Sequence, residues 1–376
     1  MKINTSLFGE LTFLNYCPLE GAVESLEFVT NIHESFSGIE ERDSLRAEPK
    51  QTFGFNYNSL AKYFDVQYQD IRKKWAIPFL QDSQLVGDIA IDDTVITCNT
   101  TIADLRPDTL AVIYSGSEFE IVEVKTVNLN NIVLYSKVKK AFVDAWIAPV
   151  RVGYFDGEIK RSYLAGNINS SVSFRAVDSI ILDSVAPPQY KGDDLYTFEF
   201  TNTMATFEES ISQQQNMIDY NIGGFATWTN HTNARVNRTW NAQLVGNQEL
   251  YDFKRFLFRR MGMFKPFWLP LHERNLQLKS TGLIVDYIEV VRTDYITRKN
   301  IALLVNNAWI AVSVSEITSS GLTTRLDLSA PLSIQAADIK AISYLGLYRL
   351  NSDTISLNYI GGDVVNAQVP LIEIHG

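Results

Sequence analysis

The chain has 376 residues, of which 46% are hydrophobic and 20% charged, as in an ordinary globular protein of two or three domains. Its 33 basic and 43 acidic residues give a net charge of 33 − 43 = −10, and the basic residues form no stripe. We therefore expect no nucleic-acid-binding surface and no sequence-specific nucleic-acid partner. No apolar run approaches membrane-spanning length, and two cysteines support neither a disulfide framework nor a cysteine zinc site.

A charged turn followed by a strand dominates the first half of the sequence. The segment SGIEERDSLRAEPKQTFGFNY (Ser37–Tyr57) begins with a Ser-Gly turn and then groups Glu40, Arg42 and Arg46 with further charges. Pro49 ends the charged run because proline lacks an N–H and disfavours a helix before it. The aromatic residues that follow alternate with small or polar ones, which is the period of a half-buried strand.

An amphipathic helix is predicted next, over Leu60–Trp75, because apolar residues recur there at helical spacing. From Gly87 to Asp178 short strands follow one another about every ten residues, a spacing typical of sandwiches and barrels. The segment APPQYKGDD (Ala186–Asp194) combines prolines, a glycine and charges without periodicity, so we predict that it links two halves.

The second half repeats the order of the first. Alternation over Val236–Leu244 matches that over Phe53–Tyr57, and a second helix is predicted over Gln248–Met261 with Gly262 as its C-terminal cap. The sequence MFKPFWLP closes this helix as AIPFL closes the first one. Short strands then resume to the end of the chain.

Residues of the two halves also align at a nearly constant offset, which predicts a tandem repeat. The aligned pairs are Trp146 with Tyr344, Arg151 with Arg349, Tyr163 with Tyr359, Gly166 with Gly362, and Val172 with Val369. We therefore predict a mainly β protein built as a tandem repeat of β-barrel or β-sandwich domains, each with one flanking α-helix. The two domains are residues 1–185 and 186–376.

The sequence contains no catalytic motif that we can identify. The four histidines lack metalloprotease spacing, and His272 beside Glu273 is more typical of a loop than of a general base. Adjacent carboxylates such as Glu40 and Glu41 point to opposite faces of a strand, so they do not form a glycosidase pair by themselves. We predict no enzymatic activity, no cofactor and no metal site.

Two motifs resemble the tail-tip proteins of long-tailed bacteriophages and gene-transfer agents. That group has a Ser-Gly-x-Glu-x-Arg turn before a strand pair and a helix with an Arg-x-Gly-x-x-x-x-Phe-like ending. The turn is clear only in the first half and the helix ending only in the second. The residues that carry the match are Glu40, Arg42 and Arg46 in the turn, and Arg260, Gly262, Phe267 and Trp268 in the ending.

The resemblance implies a distal tail or baseplate ring protein that joins the tail tube to the host-recognition apparatus and lets DNA pass. It implies as partners further copies of the chain, the tail tube protein, the tape-measure protein and other baseplate, hub or fibre proteins. The expected location is the tail tip of the virion, after assembly in the bacterial cytoplasm. The matching residues are then candidate subunit contacts, namely Glu40, Arg42, Arg46, Arg260, Phe267 and Trp268.

Physical reasoning leaves several alternatives open. The charged turn suits either a lateral subunit contact, where arginine binds carboxylates with two hydrogen bonds, or a surface turn with weak local ion pairs. A chain with two tube-type domains favours a ring of three copies over one of six, because each chain fills two adjacent positions of a pseudo-six-fold ring. Other possible functions are a carbohydrate-binding receptor module that uses the aromatic clusters and a wall-degrading hydrolase.

Overall fold

The computed structural model describes most of the chain. The described residues are 1–14, 18–35, 39–60, 73–164, 167–178, 182, 186–197, 208–213, 216–219, 221, 223–228, 234–293, 296, 298–361 and 363–374. Most of the predicted first helix falls on residues 61–72 and lies outside them. The Ser-Gly turn at Ser37 and Gly38 and the aligned glycines Gly166 and Gly362 also lie outside the described residues.

The described residues form mainly β structure, which confirms the predicted fold class at this level. Alternation in the sequence explains many of the strands: Phe53, Phe55 and Tyr57 are buried and the residues between them are not. The strands of the first half are β1 (Lys2–Thr5), β2 (Gly9–Phe13), β3 (Val23–Glu27), β4 (Thr30–Glu34), β5 (Glu40–Ser44), β6 (Lys50–Leu60), β7 (Trp75–Pro78), β8 (Gln84–Ile89), β9 (Val95–Thr97), β10 (Thr109–Ser115), β11 (Glu118–Asn128), β12 (Asn131–Leu134), β13 (Phe142–Phe155), β14 (Lys160–Leu164) and β15 (Asn167–Ala176).

The second half adds further strands and the one α-helix found among the described residues. Its strands are β16 (Gln189–Tyr190), β17 (Asp193–Leu195), β18 (Glu208–Ser212), β19 (Asn216–Asp219), β20 (Phe225–Trp228), β21 (Arg235–Val245), β22 (Phe267–Pro270), β23 (Leu283–Ile284), β24 (Tyr287–Val291), β25 (Asn300–Val305), β26 (Ala308–Ser320), β27 (Thr323–Leu328), β28 (Ile334–Gln335), β29 (Ile339–Leu350), β30 (Thr354–Gly361) and β31 (Val364–Glu373). The helix is α1 (Gly246–Arg260), and short 3-10 segments cover Leu80–Asp82, Thr100–Ile102 and Ala336–Asp338.

A central antiparallel sheet of eight strands runs through both halves. Its strand order is β14-β15-β6-β3-β30-β31-β21-β18. Strand β3 of the first half joins the halves, because it pairs with β6 on one side and with β30 of the second half on the other. The sheet therefore has β14 at one outer edge and β18 at the other.

Each half also has a flanking sheet with its own core. In the first half the order is β8-β13-β10-β11-β12-β9, and in the second it is β29-β25-β26-β27-β24. Buried residues such as Ile113 and Leu303 fill the centres of these sheets. A parallel strand pair occurs in each half as well, β2 with β7 and β17 with β22.

Helix α1 packs on the main core, which both halves share. It begins immediately after β21, where the Glu249 carboxylate accepts a hydrogen bond of 2.8 Å from the Val245 N–H and satisfies an otherwise free donor. It ends where Met261 adopts a left-handed conformation, with φ of 54°. The predicted helix Gln248–Met261 is confirmed, and both Met261 and the predicted cap Gly262, with φ of 68°, are left-handed.

Two sequence-based expectations need correction. The predicted linker Ala186–Asp194 contains β16 and most of β17, so its end is part of the second half's fold. The alignments of Trp146 with Tyr344 and of Arg151 with Arg349 are both displaced by three residues, so Tyr154 is the counterpart of Arg349. Phe79 and Leu271 directly follow the equivalent strands β7 and β22. The N–H of Phe79 donates to the carbonyl of Pro149 at 2.9 Å, and the N–H of Leu271 donates to the carbonyl of Tyr344 at 2.9 Å. The counterpart of Tyr344 is therefore Pro149, three residues after Trp146.

Candidate functional site

The two faces of the central sheet differ sharply in composition. One face packs on the shared core, and the other carries mainly hydroxyl and amide side chains. Because side chains alternate along a strand, residues directly opposite in the ladders share a face. The residues of this polar face include Thr52, Asn56, Asn58, Ser162, Asn167, Asn169, Ser171, Ser25, Thr354, Ser356, Asn358, Asn366, Gln368, Thr239, Asn241, Gln243 and Ser210.

This polar face has few charges and, among its described residues, no aromatic side chain. Its charged residues, apart from Lys160, gather near one end of the strands, as with Glu27, Lys50 and Arg175. A surface of hydroxyl and amide groups is hydrated but neither attracts nor repels a polyanion strongly, since it has no array of cations or carboxylates. The face suits passage of a charged polymer better than its retention.

The seam between the halves is the pairing of β3 with β30. On its polar side the hydroxyls of Ser25 and Ser356 lie 2.9 Å apart. On its core side Leu26 has 0% of its surface exposed, and Ile355, directly opposite, has 4%. The seam is therefore packed as tightly as the interior of a domain, so the two halves form one folded unit.

Buried charges reinforce the seam. The fully buried Glu24 carboxylate accepts hydrogen bonds of 2.7 Å from Gln51 and from the Tyr359 hydroxyl, and lies 2.7 Å from the Lys254 ammonium group in α1. Burial alone would lower the pKa of Lys254, but the carboxylates of Glu24, Asp82 and Asp104 together outweigh this effect and raise it. Lys254 therefore stays charged and holds α1 against β3.

A second buried group of charges lies beside the first. Asp104 receives hydrogen bonds of 2.8 and 2.6 Å from Arg106, and Arg151 lies 2.6 Å from the same carboxylate. Burial would raise the pKa of Asp104, but the two guanidinium groups hold it well below its usual value. Nearby, Tyr251 donates a 2.6 Å hydrogen bond to Asp82, and burial raises the pKa of Asp82 despite the opposing charge of Lys254.

These buried groups do not form an active site that a substrate can enter. All of the charged members named above are at most 6% exposed. Within the described part of the chain, no group of three or more His, Cys, Asp or Glu residues is arranged to hold a metal ion. His272 is also unsuited to acid–base chemistry near neutral pH, because burial lowers its pKa to about 4. The sequence did not predict this network of buried charges. The one local signal is that Glu24 alternates onto the same strand face as the apolar Leu26, which indicates a buried carboxylate.

The charged turn predicted to contact another subunit contacts the second half of its own chain. Strands β4 and β5 form a hairpin in which Glu40 accepts hydrogen bonds of 2.7 and 2.8 Å from Arg349. Burial would raise the pKa of Glu40, but Arg349, together with Arg42 and Arg235, outweighs this effect and lowers it. Arg46 donates to the carbonyl of Glu27 at 3.1 Å, while Arg42 is half-buried near Glu40.

The other candidate contacts are buried inside the chain. Arg260 is 1% exposed, donates to Asp194 and to the carbonyl of Pro266, and lies over the ring of Phe267. Phe267 and Trp268 are 0% and 8% exposed. With so little accessible surface, these three side chains hold the end of α1 to β17 and β22, which favours a role within the chain over the expected subunit contact.

The outer edges of the central sheet are more accessible than the seam. Among the described strands, β14 pairs only with β15, and β18 pairs only with β21. Large side chains at these edges are exposed, with Tyr163 at 70% and Ile211 at 67%. Beyond β18, the hairpin of β19 and β20 exposes 69% of Phe225. At the start of β6 and the ends of β13 and β15 lies a cleft of about 620 Å³ lined by Tyr154 and Lys50, among others.

No protein-family model matches the sequence. No curated protein matches it significantly either. Among the described helices, none has the length and apolar character needed to cross a bilayer.

Proposed function

We propose that this chain is a structural protein of a phage tail tip, and that three copies close into a ring around a channel through which DNA passes. In this proposal the two halves are diverged copies of one tube-type domain, each with a flanking helix. The ring contacts the tail tube protein, the tape-measure protein and baseplate, hub or fibre proteins. It is assembled in the bacterial cytoplasm, becomes part of the virion tail tip and performs no catalysis.

The observation that carries the proposal is the equal register of the central ladders in the two halves. Val23 lies opposite Gly54, and Glu208 opposite Thr239, so both strands are displaced by 185 positions (208 − 23 and 239 − 54). The other ladders behave likewise. The facing pair Phe55 and Val172 corresponds to the facing pair Trp240 and Val369, with differences in residue number of 185 and 197. The facing pair Tyr163 and Ile168 corresponds to Tyr359 and Val365, with differences of 196 and 197.

The number of strands fits three copies. Neighbouring strands lie about 4.8 Å apart, so a closed ring of 3 × 8 = 24 upright strands is about 37 Å across, or about 27 Å after subtracting side chains about 5 Å deep on each side. Strands in a closed barrel tilt by about 35–45°, which widens the channel further.

The two faces of the sheet support the same arrangement. A channel for DNA needs a hydrated wall without a dense array of cations, because such an array binds phosphates strongly. The Ser, Thr, Asn and Gln side chains of the polar face fit this requirement, and the net charge of −10 adds no general attraction. The aromatic clusters proposed as sugar platforms do not support carbohydrate binding, because Trp75, Phe79 and Phe267 are at most 2% exposed.

Electron cryomicroscopy of assembled particles and native mass spectrometry of the purified chain test the proposal. We expect rings of three chains with the polar face towards the lumen. A ring of six chains in which only one half of each lines the lumen would refute the three-copy arrangement. A stable monomer that is missing from purified virions would refute the structural role altogether.

A further inference from the structure

We propose that β18 of one copy pairs with β14 of the next copy in a defined antiparallel register, and that the β19–β20 hairpin docks beside the cleft of that neighbour. This inference rests on the proposed ring and specifies the contact that closes it. The surface involved is the pair of outer edges of the central sheet. The occupant is a second copy of this chain.

The register follows from the seam inside the chain. There Ser25 of β3 lies opposite Ser356 of β30. Equivalent residues of β3 and β18 differ by 185 in residue number, and equivalent residues of β14 and β30 differ by 196. The pairings of these strands with β6, β21, β15 and β31 establish both differences. Ser210 therefore corresponds to Ser25, and Lys160 corresponds to Ser356. The expected contact places Ser210 opposite Lys160 of the second copy.

The residues at the two edges match in chemistry as well as in position. The same register places Glu209 opposite Arg161 and Ile211 opposite Ile159 of the second copy, pairing opposite charges and apolar side chains. Local sequence also agrees, since β3 reads VESLE and β18 reads EESIS. An edge strand with this side-chain pattern is a template for pairing with another chain.

Residues buried at the seam have counterparts that are exposed at the outer edges, as expected if a second copy covers those edges. Leu26 is 0% exposed and its counterpart Ile211 is 67% exposed. Tyr359 is 4% exposed and its counterpart Tyr163 is 70% exposed. In the seam the Tyr359 hydroxyl donates to Glu24, so we expect the Tyr163 hydroxyl to donate to Glu209 of the adjoining copy.

The hairpin β19–β20 corresponds to the hairpin β4–β5, again at 185 positions. In the chain, Glu34 pairs with Arg235 and Glu40 with Arg349. The counterparts of the first pair are Asp219 and Lys50, which keep their opposite charges. The counterparts of the second pair are Phe225 and Tyr154, which replace an ion pair by two aromatic rings that are 69% and 38% exposed.

Both expected targets of the hairpin lie at one place. Lys50 and Tyr154 line the same cleft of about 620 Å³ beside β15. The positions inferred for strand and hairpin follow from the same correspondence between the two halves, and both lie on the outer side of the first half. The proposed contact is therefore continuous and combines strand pairing with a docked aromatic hairpin.

Disulfide formation tests the register in the full chain. We combine Ser210→Cys with Lys160→Cys in a Cys17→Ser background; Cys98 is left unchanged because burial raises its pKa to about 11. The seam pair Ser25→Cys with Ser356→Cys is the matched positive control, and Ser210→Cys with Ser162→Cys is the out-of-register control. We expect oxidation to give a covalent three-chain species that reducing agent reverses, with far less cross-linking in the out-of-register variant.

A substitution provides a second measurement. Ile211→Asp should weaken self-association at least tenfold in sedimentation or native mass spectrometry, while the far-ultraviolet circular dichroism spectrum stays unchanged. Leu322→Asp is the matched control, because Leu322 is 79% exposed in the turn between β26 and β27, far along the chain from either edge. The control should associate as the wild type does.

The possible outcomes separate this inference from the proposed ring. Three-chain rings that do not cross-link between Ser210→Cys and Lys160→Cys would overturn the inference and leave the ring intact. Cross-linked open ladders would support the edge pairing and contradict the three-copy ring. A chain that neither associates nor cross-links at any accessible concentration, with the seam control oxidised, would overturn both.

Discussion

The ammonium group of Lys254 lies 2.7 Å from the carboxylate of Glu24, and both side chains are at most 1% exposed. Lys254 belongs to the helix of the second half, whereas Glu24 belongs to the strand that joins the two halves. Their contact links helix, strand and seam in a single buried pair. Buried pairs of this kind are costly to break, because the remaining charge is left without a partner.

Lys254→Met should therefore destabilise the protein by about 3–5 kcal/mol, since Glu24 would keep its charge in the core without its cation. Adding Glu24→Gln to this variant should restore part of the loss, because the amide is neutral and still accepts a hydrogen bond from Tyr359. Urea unfolding of the two single variants and the double variant measures the coupling. Strictly additive effects would contradict the proposed pairing.

Asp104→Asn should lower the free energy of unfolding by about 3–5 kcal/mol, because Arg106 and Arg151 would remain buried with one carboxylate fewer between them. The matched control is Asp92→Asn, which removes an exposed partner of Lys137 and should cost less than about 1 kcal/mol. Asn also suits the left-handed backbone of Asp92. Equal effects of the two variants in urea unfolding would refute the importance of the buried network.

Gly153→Ala should be strongly unfavourable, because the added Cβ would lie 2.0 Å from the carbonyl oxygen of Arg175 in the neighbouring strand. We expect a loss of at least about 1–3 kcal/mol, as for other overpacked sites. Gly54→Ala is the control, since its nearest contact would be an ordinary 3.6 Å. Thermal unfolding should show a lower midpoint for the first variant only.

Acid should weaken the protein through His272. Burial against Trp309 lowers the pKa of this histidine from 6.5 to about 4, so the unfolded chain binds the proton first as the pH falls. The free energy of unfolding should decrease between about pH 6.5 and pH 4, by at most about 3 kcal/mol from this residue. His272→Asn tolerates the left-handed φ of 58° and should flatten this part of the profile.

An unchanged pH profile in His272→Asn would show that other groups dominate acid sensitivity. The measurement is urea unfolding at several pH values between 4 and 7. Because each denaturation curve is compared with that of the wild type at the same pH, a uniform loss of stability in the variant does not disturb the test.

Local patterns predicted the elements well, because their causes are local. Alternation at Phe53, Phe55 and Tyr57 specified β6, and apolar spacing with a glycine behind it specified α1. The correspondences of Tyr163 with Tyr359 and of Val172 with Val369 also fit the ladder registers. The alignments of Trp146 with Tyr344 and of Arg151 with Arg349 were wrong by three positions, because residues in a long amphipathic strand resemble one another at several registers.

Contacts between distant segments were not predictable from one sequence. Nothing in the sequence identifies Glu24 and Lys254 as partners, and nothing distinguishes Asp104 from the many other acidic residues. The charged turn was recognised as unusual, but its partner Arg349 lies in the other half of the same chain. Arg260 and Phe267 were expected at a subunit contact, yet the contact of Arg260, the last residue of α1, with Asp194 and Phe267 depends on how β17 and β22 pair.

The position of β3 in the chain also determines how long this strand waits during synthesis for its partner β30. Leu26 needs Ile355 to cover it, and 355 − 26 = 329 residues separate them. At a synthesis rate of about 5–20 residues per second, that edge of β3 waits roughly 16–66 s for its partner. Glu24 and Glu27 give the waiting strand a negative charge that opposes pairing with other nascent chains. Slow synthesis, low temperature or premature termination before β30 should therefore prolong the time for which this edge of β3 stays unpaired.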